Sequence, residues 1–208
     1  PDGHMGFPGN LKVETTYKVN KSTINIFIEA STDKTTLCNF TNHSYFNLDG
    51  TKNIANHNLI VNCENVLPVD KNGIPLSKPV SAKELSLEFK NSRKLNDDGK
   101  PTEIDHNFCI SNTRQNLSTN AILSTKSISL ELLSTEPGLQ IYTGKGLNSG
   151  NDKGWGGHSY KAFAGIALEP QIWPDSPNQV GFPNPYLSPN EKYKHHTRIK
   201  FSDSNNKK

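Results

Sequence analysis

The sequence is poor in cysteine and has no long apolar run, and each absence excludes a class of protein. Its 208 residues include three cysteines, Cys38, Cys63 and Cys109, which are widely separated and form no CxxC pair. An odd number of separated cysteines argues against a complete disulfide framework and favours buried thiols in a reducing compartment. No apolar stretch approaches the roughly 20 residues that a membrane-spanning helix needs, so we expect no membrane partner.

Clustered positive charge and metal-binding motifs are lacking as well. The formal net charge is +3, and lysine and arginine are scattered except at residues 207–208, so we expect no nucleic-acid partner. No HExxH, EF-hand or cysteine cluster occurs, and "GWGGH" lacks the GK[ST] ending of a phosphate-binding loop. We therefore expect neither a metal nor an organic cofactor. No signal-peptide pattern begins the chain, and we predict a cytoplasmic location.

What the sequence does contain is a series of short segments typical of β-strands. In "STINIFIEAST" (residues 22–32) apolar and polar residues alternate, so that Ile24, Ile26 and Ile28 share one face. Similar runs follow along the chain, separated by glycine, proline and asparagine. The pattern predicts an all-β sandwich or barrel.

The length suits one domain, which we predict to span residues 1–208 with residues 202–208 as a disordered tail. Within it, "TLCNFTNHSYFNL" (residues 36–48) is predicted to be one long strand. Residues 81–95 are the one segment that we predict to form a short helix.

His43 is the first candidate for chemistry, because it follows Asn39 and Thr41 on one face of the predicted strand and precedes Tyr45 on that face. Its neighbours are polar and aromatic. Two interpretations stay open: a hydrogen-bonded structural histidine, or a general acid or base that titrates near neutral pH.

Glu169 is the second candidate, in the segment "LEPQIWPDSPN". Pro170 cannot donate a ladder hydrogen bond, so the strand lies at a sheet edge, contains a bulge or ends there. A carboxylate at a strand end beside Trp173 is either an exposed glutamate or a functional group.

Asp105 in "IDHNF" and Gln140 in "PGLQIYTG" are candidates for binding hydroxyl groups. Asp105 either closes a turn before a strand or accepts hydrogen bonds from a polyol. Gln140 is either an ordinary strand residue or a ligand that both donates to and accepts from hydroxyls.

Five motifs occur together in one order: "GFPGNLKVETTY", "TNHSYFNL", "IDHNF", "PGLQIYTG" and "LEPQIWPDSPNQ". In this order they resemble the aldose 1-epimerases (galactose mutarotases), from about residue 1 to about residue 201. The resemblance implies the β-supersandwich fold of that family. It also implies a chain that is incomplete at the N-terminus, where members of the family are longer.

The resemblance further implies roles for individual residues. His43 matches the general acid and Glu169 the general base that interconvert the α and β anomers of a free aldohexose such as galactose or glucose. Asp105 and Gln140 match ligands of the sugar hydroxyls, and we add Tyr45 and Trp173 as further substrate contacts. We expect burial beside Trp173 to raise the pKa of Glu169.

Other functions stay open at this point. A sugar-binding or regulatory protein without turnover is one, because the resemblance implies that some sugar contacts are missing. An inverting glycosidase using Glu169 and Asp105 is another, although the presence of His43 argues against it. A missing N-terminal segment or self-association at unpaired strand edges is the macromolecular contact that we expect.

Overall fold

The computed structural model describes residues 1–76 and 78–204, and within these residues seventeen short strands form two main antiparallel sheets and two ribbons. The seven-stranded sheet consists, in spatial order, of β1 (Leu11–Asn20), β2 (Thr23–Thr32), β17 (Tyr193–Asp203), β13 (Ile128–Ser134), β12 (Ser118–Ser124), β5 (Asn58–Val61) and β8 (Arg93–Lys94).

The second main sheet has six strands and carries the candidate residues. In spatial order it consists of β4 (Tyr45–Phe46), β15 (Ile166–Gln171), β14 (Gly138–Tyr142), β11 (Asp105–Cys109), β6 (Asn65–Val66) and β7 (Val80–Ser81). The ribbons pair β9 (Asn96–Asp97) with β10 (Lys100–Pro101) and β3 (Thr36–Leu37) with β16 (Tyr186–Leu187). Short 3₁₀ helices lie at His4–Gly6, Trp155–Gly157 and Ser176–Asn178. The prediction of an all-β fold is confirmed.

The core lies between the inner faces of the two main sheets. Ile26 and Ile28 of β2 are 2% and 5% exposed, as their period-two spacing predicts. They belong to one buried cluster with Leu139 and Ile141 of β14 and Leu168 of β15. In these strands, every second side chain in the cluster is therefore apolar and packs between the two sheets. The side chains in between, on the six-stranded sheet, project from its other face.

Three local predictions were wrong. Residues 36–48 form two separate two-residue strands, β3 and β4, because the chain between them is held by side-chain hydrogen bonds rather than by a ladder. Residues 81–95 form turns and the strand β8, and Leu87, Phe89 and Leu95 are buried at a spacing that does not repeat every turn of a helix.

The prediction of a disordered tail over residues 202–208 is wrong for its first residues. Ser202 and Asp203 pair with Ser129 and Ile128 as the end of β17, and residues 205–208 lie outside the described residues. Within the described residues, no helix is long and apolar enough to span a membrane.

Candidate active site

One face of the six-stranded sheet collects the polar residues of three neighbouring strands. Asn107 of β11 lies opposite Gln140 of β14, and Gln140 lies opposite Glu169 of β15. Directly opposed residues in antiparallel strands project from the same face. Asp105, two residues before Asn107, therefore shares this face, and the ladder sets a row of carboxylates and amides side by side.

Glu169 lies where β15 loses its outer neighbour. β4 pairs only with Ile166 and Ala167, so Pro170 stands where its missing N–H breaks no ladder bond on that side. This confirms that the strand is at a sheet edge around Pro170. The carboxylate is nevertheless largely buried, since Glu169 is 7% exposed.

His43 approaches Glu169 from an irregular loop rather than from a strand. The loop connects β3 to β4, and the side chain of His43 is 55% exposed. Its Nε2 lies 3.7 Å from Oε1 of Glu169. This distance is longer than a hydrogen bond, and catalytic contacts are often loose when no substrate is bound. His43 therefore lies on a loop and not in the strand that the sequence predicted.

Side-chain hydrogen bonds hold this loop in place. Phe40 O accepts from Nδ1 of His195 at 3.0 Å, and Phe40 N–H donates to Tyr193 Oη at 3.2 Å. Burial lowers the pKa of His195 to about 4, so its imidazole is neutral near pH 7 and its Nε2 can accept from Thr197 Oγ1, 2.7 Å away. Closer to His43, the Asn42 amide donates to Tyr17 Oη at 3.0 Å.

Asp105 and Gln140 form a hydrogen-bonded pair beside Glu169. Nε2 of Gln140 donates to Oδ1 of Asp105 at 2.8 Å. This bond fixes the orientation of the glutamine amide, so that its oxygen is available as an acceptor. The pair can therefore present both donors and acceptors to a polyhydroxylated ligand.

A cavity of about 290 Å³ opens over this row, close to the lower end of the roughly 300–1,000 Å³ that small-molecule sites occupy. Its polar lining residues are Asp105, Asn107, Gln140, Glu169 and Gln171, and its other walls come from Leu67, Val69, Gly73, Pro75 and Pro174. One polar wall facing apolar ones is typical of a site for a small polar molecule.

Two of the polar lining residues, Asn107 and Gln171, were not among the predicted site residues. Both are visible from strand periodicity, because Asn107 follows Asp105 by two positions and Gln171 follows Glu169 by two. Asn107 is 1% exposed, and its Oδ1 has no hydrogen-bond partner among the described residues.

Burial and two neighbouring charges shift the pKa of the Glu169 carboxyl. Burial raises the pKa of its carboxyl above the ordinary 4.5, and the negative charge of Asp105 adds to the rise, while His43 opposes it. Removal of the carboxylate from water is the main cause. A carboxyl with a raised pKa is a stronger base when ionised than an exposed one.

The two predicted aromatic contacts are placed differently. Tyr45 is 39% exposed, and its ring centroid lies 5.1 Å from that of His43. Trp173 is 3% exposed, and its indole N–H donates to Pro137 O at 2.9 Å. Its ring packs against Gly138, on the same face of the sheet as Gln140, but Trp173 does not line the cavity of Glu169.

Trp173 instead lines a second cavity of about 530 Å³, together with Phe7, Cys38 and Pro185.

The structure thus brings His43, Glu169, Asp105 and Gln140 together, with Tyr45 beside His43, and leaves Trp173 apart. Among the described residues, no group of three or more histidine, cysteine, aspartate or glutamate side chains could hold a metal ion.

Residues 1–200 match the sequence model of "Aldose 1-epimerase". The chain belongs to the aldose 1-epimerase family. Among relatives, it is 38% identical to the galactose mutarotase of Mus musculus over 97% of this chain. It is 33% identical to the aldose 1-epimerase of Escherichia coli (strain K12) over 96% of this chain.

Solved structures give the same result. The crystal structure of a GalM/aldose epimerase homologue from C. elegans superposes with a TM-score of 0.88 at 28% identity and covers 98% of this chain. The predicted mutarotase-like fold is therefore confirmed. The chain spans about 60% of the length of the mouse relative and 63% of the C. elegans chain.

Proposed function

We propose that this chain carries the acid–base centre of an aldose 1-epimerase that interconverts the α and β anomers of free aldohexoses such as galactose and glucose. The observation that carries the proposal is the pair His43 and Glu169, whose nitrogen and oxygen are 3.7 Å apart beside a cavity with polar lining. In an aldohexose, the anomeric hydroxyl and the ring oxygen are bonded to the same carbon. An acid and a base this close can therefore act on both atoms at once.

In the forward step the ionised Glu169 removes the proton of the C1 hydroxyl, and protonated His43 gives a proton to the ring oxygen. The C1–O5 bond breaks, its electron pair stays with O5, and C1 becomes an aldehyde carbon. The C1–C2 bond rotates, O5 attacks the other face of C1, and the two residues exchange roles. No net proton is gained or lost, and both groups must change protonation state within the turnover.

Asp105 and Gln140 are assigned to the sugar hydroxyls. Their mutual hydrogen bond leaves acceptors on the carboxylate and the amide oxygen, and Asn107 adds a buried amide to the same wall. A site built to bind hydroxyls discriminates strongly against an analogue that lacks one, because the buried polar groups are then unpaired.

A second candidate is a sugar-binding protein without turnover. It is favoured by the 55% exposure of the His43 side chain, since an acid that water reaches freely is poorly organised for proton transfer. The chain also spans only about 60% of the length of its mouse relative. In either case the partner is a free aldose.

Two further parts of the proposal concern the setting. Edge strand β1 exposes Val13, Tyr17 and Val19, all on the face that β2 uses for the core. A further polypeptide segment or a second copy of this chain is what we expect to cover that face.

A reducing, cytoplasmic location is supported by the free state of Cys38 and Cys63.

Polarimetry tests the two candidates against each other. Freshly dissolved α-D-galactose or α-D-glucose is followed with and without the purified chain. A first-order rate above that of buffer supports the isomerase. Saturable galactose binding by calorimetry without any acceleration supports the binding protein, and release of sugar from a glycoside contradicts both.

A further inference from the structure

The outer edge of β15 receives an unusual partner beyond Pro170. At Ile172, directly after the strand, the backbone N–H donates to Oδ1 of Asn39 at 2.9 Å. Nδ2 of Asn39 donates to the carbonyl of the same Ile172 at 3.1 Å. One side-chain amide therefore satisfies both backbone groups of one residue, as a neighbouring strand would.

The orientation of this amide is determined by its partners. A backbone N–H can only donate and a backbone carbonyl can only accept, so the oxygen of Asn39 must face the first and the nitrogen the second. Asparagine is the residue that fits this arrangement, because aspartate lacks the donor and glutamine carries the amide one carbon further out.

With this contact, the loop of His43 is attached to the chain of Glu169 on both sides of that residue. Tyr45 pairs with Ala167, two residues before Glu169, and Asn39 binds Ile172, three residues after it. His43 lies between the two attached positions of its loop. Further anchors of the loop lead to β17 and β1, through Phe40 and Asn42.

We propose that Asn39 is a positioning residue, whose amide sets the separation of His43 and Glu169 by tying the loop of the acid to the strand end of the base. This inference rests on the proposed function for its effect on rate, and on geometry alone for its effect on the separation. Misplacement of a catalytic group by about 1 Å can cost about a hundredfold in rate.

The first experiment compares Asn39→Ala and Asn39→Asp in the full chain, with Asn62→Ala as the matched control. Asn62 also donates its amide to a backbone carbonyl, that of Thr119 at 3.4 Å, but it follows β5 of the seven-stranded sheet rather than a strand of the site. We expect kcat for mutarotation to fall about a hundredfold in Asn39→Ala with KM little changed, and less in Asn39→Asp, which keeps one of the two bonds. The control is expected to match the parent, and an unchanged kcat in Asn39→Ala overturns the inference.

The second experiment needs no turnover. The titration of the Glu169 carboxyl is followed by NMR on chain labelled with ¹³C-glutamate, and its signal is assigned with Glu169→Gln. Because His43 lowers the pKa of Glu169, His43→Asn is expected to shift that titration upward in the parent. The shift is expected to disappear in the Asn39→Ala background.

Equal shifts in both backgrounds, or no shift in the parent, overturn the positioning role. If Asn39→Ala does not fold, the same comparison is made in Asn39→Asp, where a reduced shift supports the inference and an undiminished one overturns it. A parent without mutarotase activity whose shift still depends on Asn39 refutes the proposed function and supports the positioning role.

Discussion

The two halves of the candidate site are held by different forces. Glu169, Gln140 and Asp105 project from three neighbouring strands, so backbone ladders set their spacing. His43 lies on a loop that side chains hold, through Asn39, Tyr193 and His195. On the base side the backbone ladders hold the strands and Glu169 is buried, while on the acid side His43 is exposed and its loop depends on a few polar contacts. One site therefore combines groups that backbone ladders position with a group that side-chain hydrogen bonds position.

The largest expected effect comes from removing the proposed base, Glu169. Glu169→Gln keeps the size of the side chain but cannot accept the anomeric proton, and general acid–base groups contribute about 10²–10⁴-fold. We expect the polarimetric kcat to fall about a thousandfold. The control variant is Glu29→Gln, at an exposed glutamate on β2. Retention of more than a tenth of the parent rate would contradict the role of Glu169.

The difference in exposure can be sharpened by chemical rescue. We expect His43→Ala to lose about a hundredfold in rate and to regain part of it when imidazole is added, because His43 stands at a solvent-exposed position. Glu169→Ala is expected not to respond to acetate, because its position is 7% exposed. Rescue of Glu169→Ala but not of His43→Ala would contradict the conclusion that the acid position is exposed and the base position buried.

A third change disturbs the packing at Gly138, on the sheet face that carries the base side of the site. A Cβ at Gly138 would lie 2.6 Å from Oδ1 of Asn107 and 2.8 Å from Cδ1 of Trp173. We expect Gly138→Ala to lower the free energy of unfolding by about 1–3 kcal/mol, measured by urea denaturation. Adding Asn107→Ala removes the closest contact and is expected to restore part of the loss. Unchanged stability in Gly138→Ala would show that the sheet can shift to accept the methyl group.

The smallest effect concerns stability and pH. Because the pKa of Glu169 is raised in the folded chain, the folded state binds more protons than the unfolded state between the ordinary value of 4.5 and the raised one. Stability from this group is therefore present below pH 4.5 and is lost as the pH rises through that window. Glu169→Gln is expected to be more stable than the parent at neutral pH and equally stable in acid. A neutral-pH loss of stability in Glu169→Gln would mean that hydrogen bonding outweighs burial.

Much of the site could be predicted from sequence because strands have a simple period. The alternation around Ile26 and Ile28 follows from side-chain direction and agrees with the structure. The missing proline donor predicted an edge, a bulge or a strand end at Pro170, and the structure has the edge. The motifs in order predicted the family and, with it, the residues that the structure brings together. Asn107 follows from the same period but was not included.

The remainder depended on contacts between distant parts of the sequence. The loop of His43 has strand-like residues, yet the bonds from Asn39 to Ile172 and from His195 to Phe40 span 133 and 155 positions. Trp173 was expected at the substrate because it adjoins Glu169, but its apolar ring is buried and its single donor is used by Pro137. No local pattern contains these pairings.

The most direct test of the acid–base pair measures anomer exchange itself. With [1-¹³C]galactose at equilibrium, NMR magnetisation transfer between the α and β C1 signals reports the interconversion rate without any coupled reaction. We predict exchange above the buffer rate with the parent chain, and an excess over the buffer rate that is about a hundredfold or more smaller with either Glu169→Gln or His43→Asn. Exchange at the parent rate in both variants would contradict the proposed roles of His43 and Glu169.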